Sequence, residues 1–194
     1  MRFFFLILLF LTSYNYASFE KLIDQTYLET KKKIIFPDLQ GMNAKGEADK
    51  FVFDFNKKNI LGLNAIKLSY GNMITTSDKI NYNVTSKKIK VEGNTLFKRG
   101  NLNLKSESAN IQFPEFINAV GDVRLVYEDY ICSSGFANFN LNDQKITFVK
   151  DVNFFDKKNN DKFYGNKIIF DLVNEEILSV GKSRAKINTT RLNK

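Results

Sequence analysis

The chain has 194 residues, a net charge of +8, two prolines and no histidine. That length suits one domain, and the absence of histidine removes His-based triads, most zinc sites and the usual general base near neutral pH. No glycine-rich phosphate loop is present, so the sequence points away from an enzyme and names no cofactor, metal or catalytic residue.

In chain order, Met1-Arg2 and the apolar run Phe3 to Leu11 come first. The run is too short to cross a bilayer core, which needs about 20 residues. It reads as a secretory signal peptide over residues 1–17, cleaved after Ala17. An uncleaved anchor reaching Tyr16 is the alternative. Residues 18–36 follow with Phe19, Leu22, Ile23, Thr26 and Tyr27 at helical spacing and Ser18 as N-cap. This predicts a short N-terminal helix that caps an exposed sheet end.

The remainder, 37–190, is expected to form one β-domain, because a pattern with a period of about 29 residues runs through it in five copies. Each copy opens on a small residue with an apolar one three positions later: Ala48/Phe51, Ser77/Ile80, Ser106/Ala109, Ser134/Ala137, Gly165/Ile168. An isoleucine follows: Ile60, Ile89, Ile117, Ile146, Ile177. Within the copies, apolar and polar residues alternate, as in Ile80-Asn81-Tyr82-Asn83 and Ala137-Asn138-Phe139-Asn140. Period-2 alternation means strands with one apolar face and one wet face. Four residues after the isoleucine stand Gly93, Gly121 and Gly181, with Asn64 and Lys150 in the other copies. We read this position as a corner, where the second strand of each copy turns from one sheet to a facing sheet.

The expected fold is therefore all-β: a twisted, open jellyroll of about five two-strand repeats enclosing an apolar groove. The inward positions are Ile80, Tyr82, Val91, Ile111, Phe113, Val123, Leu125, Phe139, Leu141, Phe148, Phe154 and Phe170. The lone Cys132 lies in a strand and reads as a buried, inert thiol. Glu128-Asp129 and Glu175-Glu176 adjoin strand ends and read as solvated. Lys57-Lys58 and Lys87-Lys88 occupy equivalent links and should line one edge of the stack, with Lys157-Lys158 a third pair. Such lysines suit a solvated hairpin edge that discourages edge pairing, or a basic rim that meets phosphates. Nucleic acid is disfavoured as a partner, because the aromatic residues face inward.

The repeat grammar resembles the OstA-like domain of lipopolysaccharide transport proteins, with its phrase of small-x-x-apolar-x-Tyr/Phe, then isoleucine, then Gly-Asn/Asp. The matching stretches are Ser77-Asp78-Lys79-Ile80-Asn81-Tyr82 with Val91-Glu92-Gly93-Asn94-Thr95, then Val120-Gly121-Asp122-Val123, then Tyr164 to Phe170. The resemblance spans roughly Gly41 to Ile187. It implies a jellyroll open at both ends, located in the periplasm, whose groove takes the acyl chains of lipopolysaccharide along the twelve inward residues named above. It further implies edge-to-edge joining with other OstA-like domains of the inner- and outer-membrane complexes, and self-association. Within the family, the signal-like start and the five copies favour the soluble bridging member, with its membrane-anchored relative as the alternative. A structural β-repeat protein with a closed, dry core remains open, because it predicts the same alternation.

Overall fold

The computed structural model describes residues 27–39 and 42–188. The proposed signal segment 1–17 and residues 18–26 of the expected helix lie outside them. Eleven strands follow in chain order: β1 Tyr27–Leu39, β2 Met42–Asp54, β3 Asn59–Tyr70, β4 Met73–Asn83, β5 Lys88–Arg99, β6 Leu102–Gln112, β7 Phe116–Tyr127, β8 Tyr130–Asn140, β9 Lys145–Asp156, β10 Asp161–Asp171 and β11 Glu176–Lys186. Each pairs antiparallel with its sequence neighbours in one sheet of order β1 to β11. Among the described residues β1 and β11 are each paired on one side only.

The repeats thus account for β2 to β11 as five two-strand units. The strand β1, which begins at Tyr27, corrects the helix expected within residues 18–36. Thr30, Ile34, Ile35 and Phe36 favour extended backbone, and pairing with β2 satisfies backbone groups that edge would otherwise present to water. Pro37 falls within the register break between Phe36 and Leu39, where a missing N–H costs no ladder bond.

The expected corner is present, with one correction: it is a crease across a single sheet, not a passage between two sheets. The pairing register breaks at the same level in successive hairpins, between Leu63 and Ile66, Glu92 and Thr95, and Val120 and Val123 on one side. The facing breaks lie between Thr76 and Lys79, Lys105 and Ser108, and Ser133 and Phe136. Gly93 and Gly121 take φ of +76° and +77° there, and Asn64 and Lys150 adopt +59° and +72° in their place. The small residue that opens each copy also has a task at the crease. Ser77, Ser106 and Ser134 donate their hydroxyls to the carbonyls of Lys79, Ser108 and Phe136 at 3.1, 3.0 and 2.9 Å. These local side-chain bonds tie the chain across each break.

The crease divides the sheet into two limbs that fold toward each other. Strand ends on the first limb carry Asp54, Asn83, Asn140 and Asp171, whose carboxyl or amide oxygens accept backbone N–H groups of the next turn. These Asx turns close the hairpins of one rim, at 55–58, 84–87, 141–144 and 172–175. The second limb ends in the tight turns 71–72, 100–101 and 128–129, where Gly71 and Gly100 supply the positive φ.

Candidate functional site: the interior between the limbs

The repeated isoleucine of the sequence is a physical row. In register across the inner face of the first limb run Phe53, Ile60, Tyr82, Ile89, Ile111, Ile117, Phe139, Ile146, Phe170 and Ile177. A second row, nearer the crease, holds Phe51, Gly62, Ile80, Val91, Ala109, Ala119, Ala137, Phe148 and Ile168. Its small members make room for the large ones: a Cβ on Gly62 would stand 2.6 Å from Ile80 Cγ2 and 2.9 Å from Phe51 Cε1. The second limb answers with Leu68, Thr75, Phe97, Leu104, Leu125, Cys132, Phe154 and Phe163.

All twelve inward candidates lie on these inner faces, and the structure brings them together as one cluster. Ile80, Tyr82, Val91, Ile111, Phe113, Val123, Leu125, Phe139, Phe148, Phe154 and Phe170 are buried, and Leu141 packs partly buried against them. The sequence reading missed Ile66, Leu68, Tyr70 and Leu104, which belong to the same cluster. The alternation Ile66-x-Leu68-x-Tyr70 carried the signal. The interior is packed rather than gaping, with its large side chains buried, and shallow depressions lie at the crease, around Lys182 and around Gly93.

Two aromatic contacts close the mouth between the rims. Tyr70, at the end of β3, stacks on Phe113, just after β6, with ring centroids 3.8 Å apart and planes 8° from parallel. Tyr130, at the start of β8, packs on Phe170 at 4.9 Å and donates its phenol to Glu175 Oε2 at 3.3 Å. Glu175 is exposed, as expected of a solvated strand-end carboxylate, and this bond makes it a latch across the mouth. In both contacts the second rim meets the first about three strands further on, the displacement that accumulated strand twist produces.

Four inward hydroxyls, of Tyr70, Thr75, Thr95 and Ser179, are buried with no hydrogen-bond partner among the described residues. Three belong to β3–β5, and Ser179, in register with Ile168, belongs to β11. Burial pushes the Cys132 thiol pKa up, which keeps it protonated and unreactive. Asp171, held by the backbone N–H of Asn174 and by Lys145, has its pKa lowered to about 2. Among the described residues there is no group of three or more His, Cys, Asp or Glu that could hold a metal.

Burial, reinforced by the negative charge of Glu175 and Asp156, raises the Tyr130 pKa from 10.0 to about 12. The folded state therefore holds the phenolic proton more tightly than the unfolded state does. Its contribution is complete below pH 10 and is lost as the pH rises toward 12. The parent should lose stability relative to Tyr130→Phe across that window, measured as the difference in urea midpoints. A difference that stays flat from pH 9 upward would contradict the latch.

No family model matches the sequence, and no curated protein matches it. Among solved structures, the chain is similar to LptH, the LptA homologous periplasmic component of the lipopolysaccharide transport device from Pseudomonas aeruginosa. The TM-score is 0.55 at 9% identity, and the match covers 60% of this chain and 94% of that one. At that identity the likeness is one of fold: the chain has the creased, unclosed β-jellyroll of LptA-like proteins.

Proposed function

We propose that this protein is a periplasmic component of lipopolysaccharide transport of the LptA kind, which shields acyl chains between its limbs. The observation that carries the reading is the pair of continuous inner rows, which run the length of a sheet unclosed at both ends. A lipid with several long chains cannot cross water unshielded, since each exposed CH₂ costs about 0.8 kcal/mol. An apolar interior of this form offsets the cost, and the likeness to the LptH fold supports the assignment. No catalytic chemistry is invoked, and no cofactor is required.

The partners on this reading are lipopolysaccharide and the OstA-like domains of the inner- and outer-membrane complexes. The singly paired edges of β1 and β11 suit joining by strand addition, to those domains or to a second copy. A membrane-anchored role of the LptC type is the alternative within the family. Cleavage after Ala17 would favour the LptA type, and N-terminal sequencing of the exported protein decides it.

A second reading, a structural β-repeat protein, is favoured by the complete burial of Phe139, Phe148 and Phe170. A core at native density has no room for lipid, so a carrier must part its limbs. Photo-crosslinking in cells separates the two. A photoreactive residue at Phe139 should yield a lipopolysaccharide adduct, and one at outward Asn138 should not. No adduct at Phe139 in folded, exported protein would move the assignment to the structural reading.

A further inference from the structure

We propose that the β2–β3 and β4–β5 turns form a phosphate-binding headgroup site for the lipid at the N-terminal end of the mouth. The inference rests on the carrier reading above and adds where the anionic part of the lipid sits. Its first ground is the stagger of the limbs. The turns at 55–58 and 84–87 precede the Tyr70–Phe113 closure along the first rim. The inner face beneath them is incompletely covered. Phe55 and Val84 are each 41% exposed, and Phe53 and Ile60 are only partly buried. These four residues continue the apolar rows outward, so an acyl chain in the interior would pass over them to reach solvent.

The second ground is charge. Lys57, Lys58 and Lys87 stand in those two turns, with Lys88 at the start of β5, and all four are exposed. Val84 N–H donates to the Lys58 carbonyl at 2.9 Å and ties the turns into one platform. Asp54 lies 3.8 Å from the Lys57 ammonium. The other end of the same rim is richer in carboxylates, with Asp171, Glu175 and Glu176 at its last turn and Lys145 3.2 Å from Asp171. An amphiphile with phosphate esters therefore finds apolar contact and cations together at this end. The unpartnered hydroxyls of Tyr70, Thr75 and Thr95 lie on the neighbouring strands β3–β5, and they offer donors to the carbonyls that link acyl chains to a sugar.

The chain contains no tryptophan, so Phe55→Trp gives a single fluorescent reporter at the site. Lipopolysaccharide should shift its emission to the blue. Chemically dephosphorylated lipopolysaccharide should bind on the order of tenfold more weakly, and added salt should narrow the gap. Replacing Lys57, Lys58, Lys87 and Lys88 with glutamine should abolish the preference. Gln144 already occupies the equivalent turn position at φ +53°, beside +52° for Lys58 and +56° for Lys87, so the turns accept that residue.

Equal binding of the two lipid forms, or an undiminished preference in the glutamine variant, overturns the site. So does a shift with phosphatidylglycerol vesicles and none with lipopolysaccharide, which would make the patch a membrane contact. An emission already blue and unresponsive would mean that residues 1–26 or a second copy cover the patch, and would overturn it too. Failure of the carrier reading looks different: no lipid of either form would displace a hydrophobic dye from the interior.

Discussion

Truncating Phe139 to alanine is expected to lower the free energy of unfolding by about 3–5 kcal/mol. The ring is fully buried in the middle of the first inner row, between Ile117 and Ile146. Its neighbours belong to regular ladders and cannot collapse into the space, so the loss combines transfer energy with a cavity. Phe55→Ala, at the uncovered end of the same limb, should cost within about 0.5 kcal/mol. Urea unfolding of the two variants gives the comparison directly. A loss below about 1 kcal/mol at Phe139 would mean that the interior is loosely packed in the absence of lipid, contrary to the burial seen here.

Bridging the mouth is expected to have the largest functional effect. Cysteines at Tyr70 and Phe113, joined by a short bifunctional thiol reagent, would tie β3 of one limb to the end of β6 on the other where the two rings now stack. The reagent would spare Cys132, whose thiol is buried and held protonated. If acyl chains enter by parting the rims, the bridged protein loses the open population, and apparent affinity for lipopolysaccharide should fall on the order of tenfold or more. The same variant without the bridge supplies the baseline. Undiminished loading in the bridged form would show that lipid does not pass between the rims at this point.

The packed interior and a lipid-carrying role are compatible because the limbs are joined asymmetrically. At the crease every strand is continuous covalent chain, reinforced by the serine hydroxyls of Ser77, Ser106 and Ser134. At the mouth the contacts on view are side-chain ones, the Tyr70–Phe113 stack and the Tyr130–Glu175 bond. Opening there breaks no strand ladder. Its cost is the exposure of the inner rows, which an entering acyl chain would restore.

The strands β2 to β11 and the inward identity of the twelve candidates were legible in the sequence because both depend on period-2 alternation, which any strand imposes locally. The isoleucine period was legible for the same reason, and it marks the register that aligns Ile60, Ile89, Ile117, Ile146 and Ile177 in one row. The crease was legible at Gly93 and Gly121, where a positive φ and the close approach of Asp78 and Glu107 both favour glycine. The strand β1 was not. Residues 27–36 carry no alternation that outweighs helical spacing, and their extended form comes from pairing with β2, a partner the local sequence does not announce. Nor were the Tyr70–Phe113 closure, the Glu175 latch and the uncovered Phe53–Phe55 end. These depend on how far the twist carries one limb past the other, a sum over all the strands that no single segment encodes. Local chemistry thus determined which face of each strand is apolar, and the tertiary fold alone decided which parts of that face are sealed and which are left open beside lysines.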